Sequence, residues 1–114
     1  MTINDALHWI SVGTLLFYAI ASAVMPKFVA RNLEHVLKSG RGISEFRILH
    51  GGFFLGLSLF ALYVNNPLVF QALGWAWIGA AVVRIPAYFP DRPTLSLSLL
   101  AFVAELTLGV FLLI

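Results

Sequence analysis

Glu105 is the residue of this chain whose setting asks most for a chemical explanation. It is the sole charged residue in the run Thr94–Ile114. A carboxylate among apolar groups must find a partner or take a proton. Arg84 is the first partner to consider, because an arginine in an apolar run is equally costly. His50 and Tyr18 add a group that can exchange protons and a hydroxyl. Arg47 lies one turn before His50, Tyr88 lies one turn after Arg84, and Glu45 precedes Arg47. Such a set could pair charges, carry a proton or cation, or hold a polar ligand. A charge pair could equally do no more than fix helix register. Arg84 could also snorkel toward headgroups, leaving Glu105 protonated.

These residues need elements to hold them. The chain has 114 residues, 61% hydrophobic and 11% charged. A soluble domain carries about a quarter charged residues. A chain this short and this apolar has too few polar groups to cover a water-facing surface, and the bilayer is the solvent that fits. A spanning helix needs roughly 20 apolar residues. Four stretches qualify, at about 7–25, 46–64, 68–89 and 94–114. They end at Pro26-Lys27, Asn65-Asn66-Pro67 and Pro90-Asp91-Arg92-Pro93. Proline suits helix starts and stops, and Thr94 is a plausible N-cap. The apolar runs do not alternate as membrane strands do. The expected fold is therefore all-α: a single transmembrane domain, 1–114, forming a four-helix bundle. The stretch before Leu7 holds no Lys or Arg, so the first segment reads as a retained helix rather than a signal peptide.

Charge sets the expected orientation. Lys27, Arg31, Lys38, Arg41, Arg47, Arg84 and Arg92 all fall in or near the first and third connections. The positive-inside rule puts those connections in the cytoplasm and both termini outside. A bacterial inner membrane fits this topology. In the first connection Phe28, Val29, Leu33, Val36 and Leu37 recur at helical spacing between Arg31, Glu34 and Lys38. That pattern predicts a short amphipathic helix at the interface. Gly40-Arg41-Gly42 then reads as a helix stop and a turn.

Depth follows from a rise of 1.5 Å per residue. Glu105 lies roughly 16 Å from the cytoplasmic end of its helix and Arg84 roughly 8 Å from that of its own. A short turn makes their helices antiparallel neighbours, so the two side chains can meet. His50 shares Arg84's depth and Tyr18 that of Glu105. One polar cluster of Glu105, Arg84, His50 and Tyr18 is the expectation, with Arg47 and Glu45 near it. Gly52 and Gly56 form a G-x-x-x-G pattern, which predicts close helix packing.

Other chemistries find no motif. There is no cysteine, which removes thiolate metal sites and a Cys nucleophile. His8, His35 and His50 are far apart in sequence and form no H-x-x-x-H pair. No phosphate-binding glycine loop is present. No catalytic, cofactor or metal residues are assigned.

The run Glu45-Phe46-Arg47-Ile48-Leu49-His50-Gly51-Gly52-Phe53-Phe54-Leu55-Gly56 resembles the E-x-R…G-G…G segment of the DUF4345 family of small bacterial four-helix membrane proteins. Arg84, the Pro90–Pro93 turn and Glu105 fit the same resemblance. It implies the four-helix fold and points to Glu45, Arg47, Gly52, Arg84 and Glu105, with no reaction attached. Three function classes stay open. One is a structural or accessory subunit packing against a larger membrane complex. A second is a small transporter or lipid-like ligand binder using Glu105 with Arg84. The third is a membrane enzyme using Arg84, His50 and Glu105. The expected partners are the lipid bilayer and other membrane subunits or a second copy, with no nucleic acid.

Overall fold

The computed structural model describes residues 2–33 and 35–114. Among them there is no strand. The elements are α1 (Ile3–Val24), α2 (Pro26–Asn32), α3 (Gly40–Phe46), a π-helical segment (Arg47–Phe53), α4 (Phe54–Val64), α5 (Pro67–Asp91) and α6 (Leu95–Leu113). The run from α3 through α4 is unbroken, and four helices result that are long and apolar enough to cross a membrane: Ile3–Val24, Gly40–Val64, Pro67–Asp91 and Leu95–Leu113.

Their ends differ from the expected ones for local reasons. The first helix starts at Ile3, not near Leu7. The Asp5 amide donates to Thr2 Oγ1 at 3.2 Å, and the Thr2 amide donates back to Asp5 Oδ2 at 3.1 Å. This reciprocal cap satisfies amides that the helix itself leaves free. The second starts at Gly40. Gly40-Arg41-Gly42 is thus a helix start and not a stop: the Ser39 hydroxyl accepts from the Gly42 amide at 3.0 Å. The third runs through Pro86 and Pro90. Each proline costs one intrahelical bond, but the helix ends only where Arg92 turns left-handed, at φ 46°. Asn66 caps its start, accepting from the Leu68 amide at 2.8 Å, and Pro67 occupies the first turn. Thr94 precedes α6, but its side chain makes no cap bond.

Before Ser39, the described residues of the first connection are helical over Pro26–Asn32. The His35 amide donates to Ala30 O at 2.7 Å and closes that helix. Leu33, Val36 and Leu37 therefore lie beyond it, and Glu34 is outside the described residues.

The chain divides into two compact units. One holds the chain up to Ser11 together with residues 65–114. The other holds Val12–Val64. In the first, α5 and α6 run antiparallel. A methyl built on Gly74 would lie 3.1 Å from Gly109 O and 2.9 Å from Leu113, and one on Gly109 would lie 2.8 Å from Ile78. The helices thus approach until only glycine fits. The start of α1 joins them: Ser11 Oγ donates to Leu108 O at 3.1 Å, and the His8 ring stacks on Phe70 at 4.6 Å. In the second unit Val29, Ala30 and Phe46 form a buried cluster, with Tyr18, Ala21 and Leu37 packed on it. A methyl on Gly51 would meet Ala23 Cβ at 2.8 Å, so the π segment presses on the end of α1.

Candidate functional site

The close α5–α6 pairing brings the two expected charges together. Arg84 Nε donates to Glu105 Oε1 as an ion pair. Glu105 is buried at 6% relative exposure. Its place ten residues into α6 puts it roughly 15 Å from the helix start. The position of Gly109, one turn after Glu105 on the same face, explains the pairing. It lets α5 come near enough for a guanidinium to reach the carboxylate. Each ion satisfies the other in a medium that would otherwise penalise both. The Arg84 side chain keeps 38% exposure. Beyond it, Arg92 lies over the rings of Tyr88 at 5.4 Å and Phe89 at 5.8 Å, a cation–π stack at the helix end.

The other unit holds a neutral pair. Tyr18 OH lies 2.7 Å from His50 Nδ1. The imidazole stacks flat on Phe46, 4.2 Å away at 8°. His35 meets its edge at 5.9 Å and Phe54 at 6.0 Å. The π segment supplies His50. Such segments are rare and recur at functional positions, and here Gly51 and Gly52 weaken the local α preference.

Of the six residues expected as one cluster, four form two pairs, Arg84 with Glu105 in one unit and Tyr18 with His50 in the other. Arg47 has another task. Its guanidinium donates to Ala23 O at 2.6 Å, capping a carbonyl that the end of α1 leaves free and complementing the helix dipole there. Glu45 is exposed on α3 and makes no ion pair among the described residues. Gly52 and Gly56 are not where the chain packs tightly: a methyl on either meets nothing within 4 Å. Gly51, Gly74 and Gly109 are. Sequence reasoning passed over Gly109, although its i+4 spacing from Glu105 was a usable signal. His8, which the sequence places only as one of three scattered histidines, has a buried Nε2 with no hydrogen-bond partner among the described residues.

No group of three His, Cys, Asp or Glu side chains gathers among the described residues as a metal site would require. In comparisons with known proteins, no family model, no curated protein and no solved structure matches the chain, so the resemblance to the DUF4345 family rests on the Glu45–Gly56 run and the residues around Arg84 and Glu105 alone.

Proposed function

We propose that this chain is a small integral membrane protein of four spans that serves as a structural subunit, packing its apolar faces against other membrane proteins. One observation carries the reading. Within the 18-residue cores of the four spans, only 17% to 28% is buried inside the chain. Most residues of every span therefore keep some surface for lipid or for a partner. Small residues on those faces, Gly52 and Gly56 among them, would let a partner helix approach. The Arg84–Glu105 pair supports the same role. A carboxylate already matched by a guanidinium ties α5 to α6 and is poorly placed to cycle a proton.

In this reading the cationic connections lie in the cytoplasm and the membrane is a bacterial inner membrane, as the Lys and Arg distribution favours. The α2 helix rests at the cytoplasmic interface. Phe28 is exposed there, with the Arg31 guanidinium 5.8 Å from its ring, an arrangement suited to headgroups above and acyl chains below.

The test is native mass spectrometry after gentle detergent extraction, on wild type and on Glu105→Gln. A partner protein in fixed stoichiometry with the wild type is the expected result. A chain that emerges alone, carrying a small molecule that Glu105→Gln loses, would overturn the subunit reading. It would make Glu105 a ligand site instead.

A further inference from the structure

A cavity of about 230 Å³ lies against the π segment, lined by Leu49, His50, Phe53 and Phe54. Its four residues follow from one geometric fact: 49 with 53 and 50 with 54 are each four apart, so they stack as two rows on one face. Leu49 and Phe53 are largely exposed, and His50 and Phe54 are half-buried. The first two form the rim and the second two the floor. Since this stretch belongs to a helix long and apolar enough to cross a membrane, a cavity on its exposed face would open toward hydrocarbon.

Only one lining side chain can hydrogen-bond. His50 Nδ1 faces the Tyr18 hydroxyl. A phenol is the better donor of the two, which makes Nδ1 the acceptor and leaves the ring proton on Nε2. The side-chain hydrogen bond that the structure gives His50 uses Nδ1 and not Nε2. Phe46, stacked flat on the imidazole, and Tyr18 together hold its plane. The lining is thus one imidazole, two phenyl rings and an aliphatic wall.

That combination selects its occupant. No cationic side chain lines the cavity, so it has nothing to hold an anion. A single imidazole is too little for a metal. Phenyl walls favour a flat ring, stacked or edge-on, and the donor favours an oxygen acceptor on that ring. The volume is adequate, since a cavity of roughly 150 Å³ accepts benzene. The opening toward hydrocarbon requires a molecule that travels in the bilayer. We infer that this cavity binds the ring of a lipid-soluble quinone-class molecule, with a ring carbonyl accepting from His50 Nε2. The inference does not rest on the subunit reading and involves neither Arg84 nor Glu105.

The test uses the full chain in phosphatidylcholine nanodiscs and a radiolabelled benzoquinone with a decyl tail. Binding to empty nanodiscs is subtracted, and helix content of each variant is checked by circular dichroism. Saturable binding to the wild type is expected. His50→Phe removes the donor, and Leu49→Trp fills the cavity while leaving His50 and Tyr18 intact. Each should weaken binding about tenfold or more, the scale of one hydrogen bond or one blocked pocket. Leu59→Trp, on α4 outside the lining, should bind as wild type does. Decylbenzene, which lacks the carbonyl, should bind about tenfold less tightly than the quinone. Binding that does not saturate overturns the proposal. So does wild-type affinity in Leu49→Trp. Equal affinity for decylbenzene and quinone, unchanged in His50→Phe, would mean the cavity takes any acyl or alkyl chain, and that also overturns it.

Discussion

Arg84 and Glu105 meet across two regular helices pressed together at Gly74 and Gly109, whereas Tyr18 and His50 meet where one helix widens into a π turn beside a cavity. The first pair is charged, and its acid is buried. The second is neutral and half-buried, and engages His50 through Nδ1. The contrast teaches how polar groups are kept in an apolar medium. Charges demand full mutual compensation and a rigid frame that delivers it. A neutral pair tolerates a looser frame, and so can leave a donor available to something else.

The largest effect should come from breaking the charged pair. Arg84→Met leaves the Glu105 carboxylate buried alone and should cost about 3 kcal/mol of stability. Denaturant titration in detergent micelles, followed by circular dichroism, measures it. A loss below about 1 kcal/mol would mean that Arg84 acts by packing alone. Next comes a contrast between adjacent glycines. Gly51→Ala places a methyl against Ala23 and should destabilise by about 1–3 kcal/mol. Gly52→Ala meets open space and should change stability by less than about 1 kcal/mol. Equal effects at both positions, in the same titration, would contradict the π register. The smallest effect belongs to Tyr18→Phe. It removes one side-chain hydrogen bond and should cost about 0.6 kcal/mol, the average for such bonds in a membrane protein. A loss as large as that of Arg84→Met would erase the distinction between the two pairs.

Much of this frame is legible in the amino-acid sequence. Four spans are visible because apolarity sums over some 20 residues and single exceptions do not cancel it. The Arg84–Glu105 contact is readable for a different reason. A short turn at Pro90–Pro93 forces neighbours, and opposite charges in apolar surroundings must pair. Helix ends are less accessible, because they depend on one or two capping bonds such as Ser39 to Gly42. The Thr2-x-x-Asp5 pattern does carry a capping signal. The glycine stripe misleads through phase. G-x-x-x-G assumes α periodicity, but the π segment places more residues in each turn. The glycine that faces α1 is thereby Gly51 and not Gly52. Nothing in Arg47–Phe53 announces that change beyond two adjacent glycines. Spacing alone groups Arg47 with His50, while the free carbonyl at the end of α1 decides where its guanidinium goes.

The central claim is that Arg84 and Glu105 act as one compensated unit joining α5 to α6. A double-mutant cycle tests it directly, comparing the stabilities of wild type, Arg84→Met, Glu105→Leu and the double variant in the same micelles. The account predicts strong coupling: the double variant should be less damaged than the sum of the singles by about 1.5 kcal/mol or more. Additive losses, within about 0.5 kcal/mol, would contradict it, since residues that do not depend on each other add.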